Sequence, residues 1–387
     1  MKQTIDQIDV AGKRVLMRVD FNVPIHHGEI TDDRRIQMAL PSIRSVLDRG
    51  GKLTLISHLG RPSGDGFEAP FSLEPVAKRL GQLLTRDVVF SEVDTTSDVV
   101  LLENLRFSPG EKSGDAKFAK ALAKQGDIYC NNAFGTAHRN HASMVAVPEA
   151  MEGKPRVAGL LLAKELQYLE YAITNAEKPF VAVLGGVKVS DKMGAIEHLL
   201  GKVDMILLGG AMAYTFIVAT GEGVGKSVVE SDRVKDAKNM IEAATASSTV
   251  LCLPVDHVCA QNIEESAPTQ TVTGSIPDDW MGLDIGPETI SKYAHILQNA
   301  KTIIWNGPLG MFETMPFDEG TRQIAKAIAE AKERGATSIV GGGDSAAAIS
   351  AFGLDSKMTH ISTGGGASLQ MLKGKAFKSV AILDDAV

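Results

Sequence analysis

Four times in the second half of this chain a short strand-like run gives way to adjacent glycines. Residues 181–184 run into Gly185 and Gly186, residues 205–208 into Gly209 and Gly210, residues 338–340 into Gly341 to Gly343, and His360-Ile361 into a loop holding Gly364 to Gly366. The third case is the fullest. Its apolar run breaks into three glycines, Asp344 and Ser345 follow as candidate helix caps, and an alanine-rich helix-forming segment comes next. A strand that ends in glycine and restarts as a helix aims free first-turn N–H groups at whatever lies above the strand. That geometry attracts an anion, and phosphate above all. Repetition of the unit with helix-sized spacers implies a parallel sheet, whose binding loops follow the carboxyl ends of its strands.

The first half repeats the pattern with different loops. Residues 15–19, 53–56, 99–102 and 128–130 read as strands, and 34–47, 73–84 and 115–124 as helices. The strand-end loops carry Asp20, Asn22, His58, Arg61, Arg106 and Arg139, with Arg35 beside a helix start. A long helical pattern over residues 160–176 separates the halves. The expected organisation is α/β, with two Rossmann-like domains, each a parallel sheet flanked by helices, joined by the long helix with a cleft between them. The boundary is expected near 170, giving an N-terminal domain over 1–170 and a C-terminal domain over 171–368.

The halves differ in how they would hold an anion. Twelve of the fifteen arginines precede residue 160, whereas four of the five runs of adjacent glycines follow it. Arginine offers a fork of donors matched to carboxylate and phosphate oxygens, and glycine lets backbone N–H groups approach a phosphate closely. The first half is thus built to hold a small polyanion with side chains. The second would hold a nucleotide with backbone and with Lys188 and Lys192, four residues apart and on one helix face. A kinase uses both.

Composition narrows the alternatives. With 387 residues, 44% hydrophobic, the chain is long for one core. A net charge of −7 argues against nucleic acid or an anionic membrane as the main partner. No stretch approaches the roughly 20 apolar residues of a spanning helix, and the N-terminus carries no export signal, so a cytoplasmic protein is expected. Cys130, Cys252 and Cys259 are too few and too scattered for a disulfide framework or a zinc site. His138 and His141 lack a third metal ligand, and His138 is read as part of the anion loop. The segment 221–227, GEGVGKS, imitates a P-loop but has Thr220 where the first glycine is required, and it follows a helix. A dinucleotide-binding G-x-G-x-x-G is missing, which disfavours the rival reading, an NAD-dependent α/β dehydrogenase.

Taken in order, RVDFNVP (18–24), SHLGRP (57–62), ENLRF (103–107), AFGTAHR (133–139), GGVKVSDK (185–192), LLGGAMAYTF (207–216), WNGPLGMFE (305–313), GGGDS (341–345) and STGGGA (362–367) closely resemble the phosphoglycerate kinase family in its bacterial form. The resemblance covers essentially the whole chain. It implies a phosphotransferase with a carboxyl acceptor, passing a phosphoryl group between 1,3-bisphosphoglycerate and ADP to give 3-phosphoglycerate and ATP, with Mg2+. It also implies a monomer whose domains close for in-line transfer, hinged near Glu165 and 360–363, and a tail, about 369–387, packed back on the first domain. Asp20, Phe21, Asn22, Arg35, His58, Leu59, Gly60, Arg61, Arg106 and Arg139 would hold the phosphoglycerate. Lys192 would meet the nucleotide phosphates, Glu313 the ribose, and Asp344 the magnesium. Gly342, Gly343 and Ser345 would complete the nucleotide loop, with Gly209, Gly210 and Leu309 bordering the adenine. Arg35, Lys188 and the N–H groups of Gly364, Gly365 and Gly366 would surround the phosphoryl group in flight. Three positions depart from the family's usual residues: Asn132 replaces Asp, Ser345 replaces Thr and Gln370 replaces Glu. Of these, Asn132 is expected to alter the electrostatics of the basic pocket.

Overall fold

A computed structural model of the protein describes residues 1–91, 96–265 and 267–386. The chain forms two compact units, Met1–Gln167 with Ala376–Val387, and Tyr168–Lys375. It passes from the first to the second within one helix and returns at Ala376. Residues 369–375 therefore belong to the second unit, where a helix over Gly365–Leu372 packs against another over Val189–Leu199.

In the first unit, β1 (Arg14–Val19) is followed by helix α1 (Arg34–Leu47) and β2 (Lys52–Ile56). Short strands β3 (Val89–Phe90), β4 (Val99–Leu101), β5 (Ile128–Asn132) and β6 (Arg156–Ala158) complete a parallel sheet in the order β3-β4-β2-β1-β5-β6. Five of the six β1 residues are buried, as suits a strand covered on both faces. One of those five is Arg18. Edge strands β3 and β6 escape sequence reading because two or three residues carry no usable period.

Helix α2 (Leu160–Thr174) carries the chain across to the second unit. There β7 (Phe180–Leu184), helix α3 (Val189–Leu199), β8 (Met205–Leu208), helix α4 (Met212–Thr220), β9 (Val250–Cys252), β10 (Thr302–Asn306), β11 (Thr337–Gly341), helix α5 (Gly343–Ala351), β12 (His360–Ile361) and helix α6 (Gly365–Leu372) follow one another. The parallel sheet runs β9-β8-β7-β10-β11-β12. Its order reverses between β7 and β10, the place where open α/β sheets take their ligands. A three-stranded antiparallel sheet over Asp256–Ala260, Thr269–Thr273 and Met281–Ile285 is an addition the sequence reading lacked. Its outer strand, TQTVT, buries no residue fully and so offers no apolar run to detect.

The segment resembling a P-loop is structural. Gly221 ends α4 in a left-handed conformation, and Gly225 lies so close to the carbonyls of Pro277 and Trp280 that a Cβ would sit 2.3 Å from each. Lys226 pairs with Asp279 at the surface. Among the described residues, no helix is long and apolar enough to cross a membrane.

Candidate functional site

In the first unit, the loops after β1, β2 and β5, together with the turn after β4, bring charged groups around His58. Arg35 at the start of α1 donates to Asp20 Oδ2 at 3.0 Å. Asn22 Oδ1 accepts from the Gly60 amide at 2.8 Å, and Arg106 donates to the Gly60 carbonyl at 2.6 Å, so the loop after β2 is fixed from both sides. Burial and the charges of Arg18, Arg106, Arg139 and Arg35 hold His58 well below its ordinary pKa, leaving a neutral ring among cations. Burial, then Arg139 and Arg18, bring Arg106 down to about 10. Buried atoms without partners cluster here: Asp20 Oδ1, Arg106 Nε, His138 Nδ1 and Arg139 Nε. Crowded cations with unused donors are the signature of an anion site.

Not every residue expected here presents a side chain. Phe21 and Leu59 are packed in the hydrophobic core, and Phe21 reaches the site only through its backbone, whose N–H donates to Ser57 Oγ. Arg61 is exposed to solvent. Asn132 lies elsewhere than expected. Its Oδ1 accepts from Ser42 Oγ and from the Leu161 amide, each at 3.0 Å, so it caps the first turn of α2 instead of facing the basic pocket. Arg18, conversely, belongs to the cluster. A charged residue in mid-strand was the signal that could have found it.

The second unit uses backbone instead. Around the sheet's switch point the glycine loops lie in van der Waals contact. A Cβ on Gly185 would meet the Pro308 carbonyl oxygen at 2.1 Å, and one on Gly307 would meet that of Gly185 at 2.2 Å. Only glycine permits this approach. Above them opens a cavity of about 430 Å³, lined by Lys188, Lys192, Asn306 and the starts of α5 and α6. The two helix starts abut, since a Cβ on Gly365 would lie 2.8 Å from the Gly343 nitrogen. The first internal bonds of these helices are made by Ala346 to Gly342 and by Ser368 to Gly364, so the amides of Gly343 to Ser345 and of Gly365 and Gly366 precede the hydrogen-bond ladder at the cavity. The Gly364 amide, expected to be free, instead donates to Ser362 Oγ at 3.2 Å.

The caps differ from expectation. Gly342, at φ +101°, caps α5; Asp344 and Ser345 lie inside the first turn, and the Ser345 hydroxyl accepts from the Gly307 amide at 2.7 Å. Lys188 is the extended cap residue of α3, one position before the helix, with Lys192 in the following turn. The α3 terminus is already taken: Glu230 accepts from the Ser190 amide at 3.0 Å and its hydroxyl at 2.7 Å. Lys192 is buried against Asn306 Oδ1, and burial lowers its pKa to about 8. Asn306 was not among the residues expected from the sequence. Gly209 packs against Leu309, whose carbonyl accepts from the Gly210 amide at 2.8 Å. Leu309 is fully buried, and Glu313 is exposed on the following turn.

Magnesium fits this donor set. No cluster of three or more metal-ligating side chains occurs among the described residues, but Mg2+ characteristically binds one or two carboxylates plus substrate phosphates. Asp344 and Asp191 line the cavity beside Lys188 and Lys192.

Two parallel α/β units, one with an arginine-rich pocket and one with a glycine-rich cradle, define a protein of the phosphotransferase class. The phosphoglycerate kinase family model matches residues 5–375. Phosphoglycerate kinases from Rhodopirellula baltica and Thermosipho africanus are 56% and 51% identical; the matches span 100% of both chains in the first case, and 98% of this chain and 97% of the relative in the second. The solved phosphoglycerate kinase of Coxiella burnetii matches with a TM-score of 0.91 at 39% identity, covering 99% of this chain and 98% of its own. That of Pyrococcus horikoshii matches at 0.84 and 32%, with the same coverage. The chain belongs to the phosphoglycerate kinase family. A dehydrogenase is not what it resembles, although its second sheet has the strand order of dinucleotide-binding proteins.

Proposed function

We propose that the chain catalyses reversible transfer of the acyl phosphate of 1,3-bisphosphoglycerate to Mg-ADP, giving 3-phosphoglycerate and ATP, as a monomeric cytoplasmic enzyme of glycolysis and gluconeogenesis. The observation that carries this reading is the pairing, within one chain of this family, of an arginine pocket with a cradle of helix starts. The first unit would hold the phosphoglycerate through Asp20, Asn22, Arg35, His58, Arg106 and Arg139, with Phe21, Leu59 and Gly60 contributing backbone and Arg61 joining from solvent. The second would hold the nucleotide through Lys192, the loop 342–345, Gly209, Gly210, Leu309 and Glu313.

The chemistry asks for little more than position and charge. An oxygen of the ADP β-phosphate attacks the acyl phosphorus, and the glycerate carboxylate leaves with the electrons of the broken P–O bond. The attacking oxygen carries no proton, so no general base is required. Negative charge spread over the three equatorial oxygens would be met by Arg35, Lys188 and the N–H groups of Gly365 and Gly366. Magnesium, when bound, neutralises nucleotide phosphate charge, and Asp344 would hold it. With the substrates on different units, closure about 360–363 and α2 would bring them in line and exclude water.

The test is a coupled assay with ATP, 3-phosphoglycerate and Mg2+, following acyl-phosphate formation. Turnover is expected; folded protein without turnover would defeat the proposal. Asp344→Asn should raise the KM for Mg-nucleotide on the order of tenfold and leave 3-phosphoglycerate binding intact. Equal loss of both would remove Asp344 from the metal role.

A further inference from the structure

Behind the arginine pocket lies a buried chain of polar groups that none of the roles above employs. Glu111, Ser143 and Arg18 are each fully buried. The Ser143 amide donates to Glu111 Oε2 at 2.9 Å, and the Ser143 hydroxyl lies 2.6 Å from Glu111 Oε1. A carboxylate can only accept, so the hydroxyl proton is committed to Glu111. The lone pairs left on Ser143 Oγ then receive Arg18 Nε–H, 2.9 Å away. The same guanidinium gives one Nη1 hydrogen to the Val19 carbonyl and brings Nη2 to 3.0 Å from His58 Nδ1.

Every donor and acceptor along this chain is settled by chemistry. Guanidinium has no acceptor, so His58 Nδ1, facing Arg18 Nη2, must be the unprotonated nitrogen. The acidic neighbour Asp20 does not compete, because its Oδ1 stands 3.9 Å from Nδ1, beyond hydrogen-bond reach. The remaining cations around the ring, Arg35, Arg106 and Arg139, disfavour a second proton, as burial does. His58 is left as a neutral imidazole whose only N–H is at Nε2. Glu111 stays ionised. Burial alone would raise its carboxyl, but neighbouring His141, the charge of Arg18 and the two bonds from Ser143 outweigh it and bring the pKa below the ordinary value.

We propose that Glu111 and Ser143 are positioning residues that act through Arg18 to fix the tautomer and ring orientation of His58, so that this histidine meets the phosphoglycerate as a neutral Nε2–H donor. The inference rests on the assignment of the first unit as the phosphoglycerate pocket. A neutral donor suits such a pocket. The arginines already supply charge, and a protonated histidine would add repulsion among them, whereas an oriented N–H adds a directed bond at no electrostatic cost to its neighbours.

The experiment has a spectroscopic arm and a kinetic arm. In ligand-free enzyme labelled with 15N-histidine, with His58 assigned by its loss in His58→Gln, Nδ1 should resonate as the unprotonated nitrogen and Nε2 as the protonated one, unchanged from pH 6 to 8. A protonated Nδ1, or titration of the ring within that range, overturns the proposal. In Ser143→Ala the link to Glu111 is cut. The KM for 3-phosphoglycerate should rise on the order of five- to tenfold with kcat and the KM for ATP unchanged, and His58 should lose its single tautomer. Unchanged KM with an unchanged tautomer, or parallel loss for both substrates in step with a lower Tm, also overturns it. Glu111→Gln keeps the size of the side chain but presents an amide NH2 to one of the two Ser143 donors, and should repeat the pattern if Ser143→Ala does not fold. Were wild-type enzyme to lack turnover while His58 showed the expected tautomer, the relay would stand and the assigned activity would fall.

Discussion

The two anion sites of this protein are built from opposite materials. In the first unit the donors are side chains: Arg18, Arg35, Arg106 and Arg139 crowd around a neutral His58, steadied by Asp20 and by Glu111 through Ser143. In the second they are backbone amides at the abutting starts of α5 and α6, with two lysines beside them. Side chains can be arranged around an irregular, small polyanion, but each needs its own support against repulsion and loss of rotamer freedom. Amides at a helix start need no such support, yet they demand glycine wherever two backbones meet. The difference suits a small acid on one side and a polyphosphate on the other.

The largest test of this contrast is Arg35→Ala. If Arg35 neutralises charge as the phosphoryl group moves, besides holding the phosphoglycerate, kcat should fall on the order of 10²-fold or more at saturating substrates, beyond any rise in the KM for 3-phosphoglycerate. An unchanged kcat would make it part of the static pocket. A smaller effect separates the lysines from the arginines. Burial brings Lys192 to about 8, so its charge is present below that pH and disappears above it. The kcat/KM for nucleotide should therefore decline above pH about 8, approaching tenfold per unit, and Lys192→Arg should abolish that limb. A limb that persists in the arginine variant would assign it to another group.

Much of this was legible in the sequence, for a physical reason. Strands buried on both faces leave uninterrupted apolar runs, and the loops that follow them carry the chemistry, so residues 15–19, 53–56 and 181–184 pointed to their own loops. What stayed hidden was set by tertiary contact. Nothing local reveals that Phe21 and Leu59 turn into the core, that Asn306 meets Lys192, or that Glu230 occupies the start of α3 from 40 residues away. Nor does a helix propensity say that Gly342 caps α5 in place of Asp344.

Asn132 is the plainest case. Sequence position placed it beside the basic pocket, but its side chain serves α2, with Nδ2 buried and unpartnered. Asn132→Asp removes that orphaned donor and puts negative charge at a helix start. Urea unfolding at pH 7 should show a gain on the order of 1 kcal/mol, with the KM for 3-phosphoglycerate unchanged. Because a capping carboxylate has a lowered pKa, the gain should be present above the unfolded Asp value and fade as pH falls through the folded one. A shifted KM with no gain would return the residue to the pocket.

The division of labour itself is most directly tested by calorimetric titration of Arg106→Ala and Gly365→Ala with 3-phosphoglycerate and, separately, with Mg-ADP. Arg106→Ala should weaken 3-phosphoglycerate alone. Gly365→Ala, whose new methyl would press on the Gly343 nitrogen, should weaken Mg-ADP alone. Either variant weakening both ligands equally, at unchanged Tm, would contradict a side-chain site in one unit and a backbone site in the other.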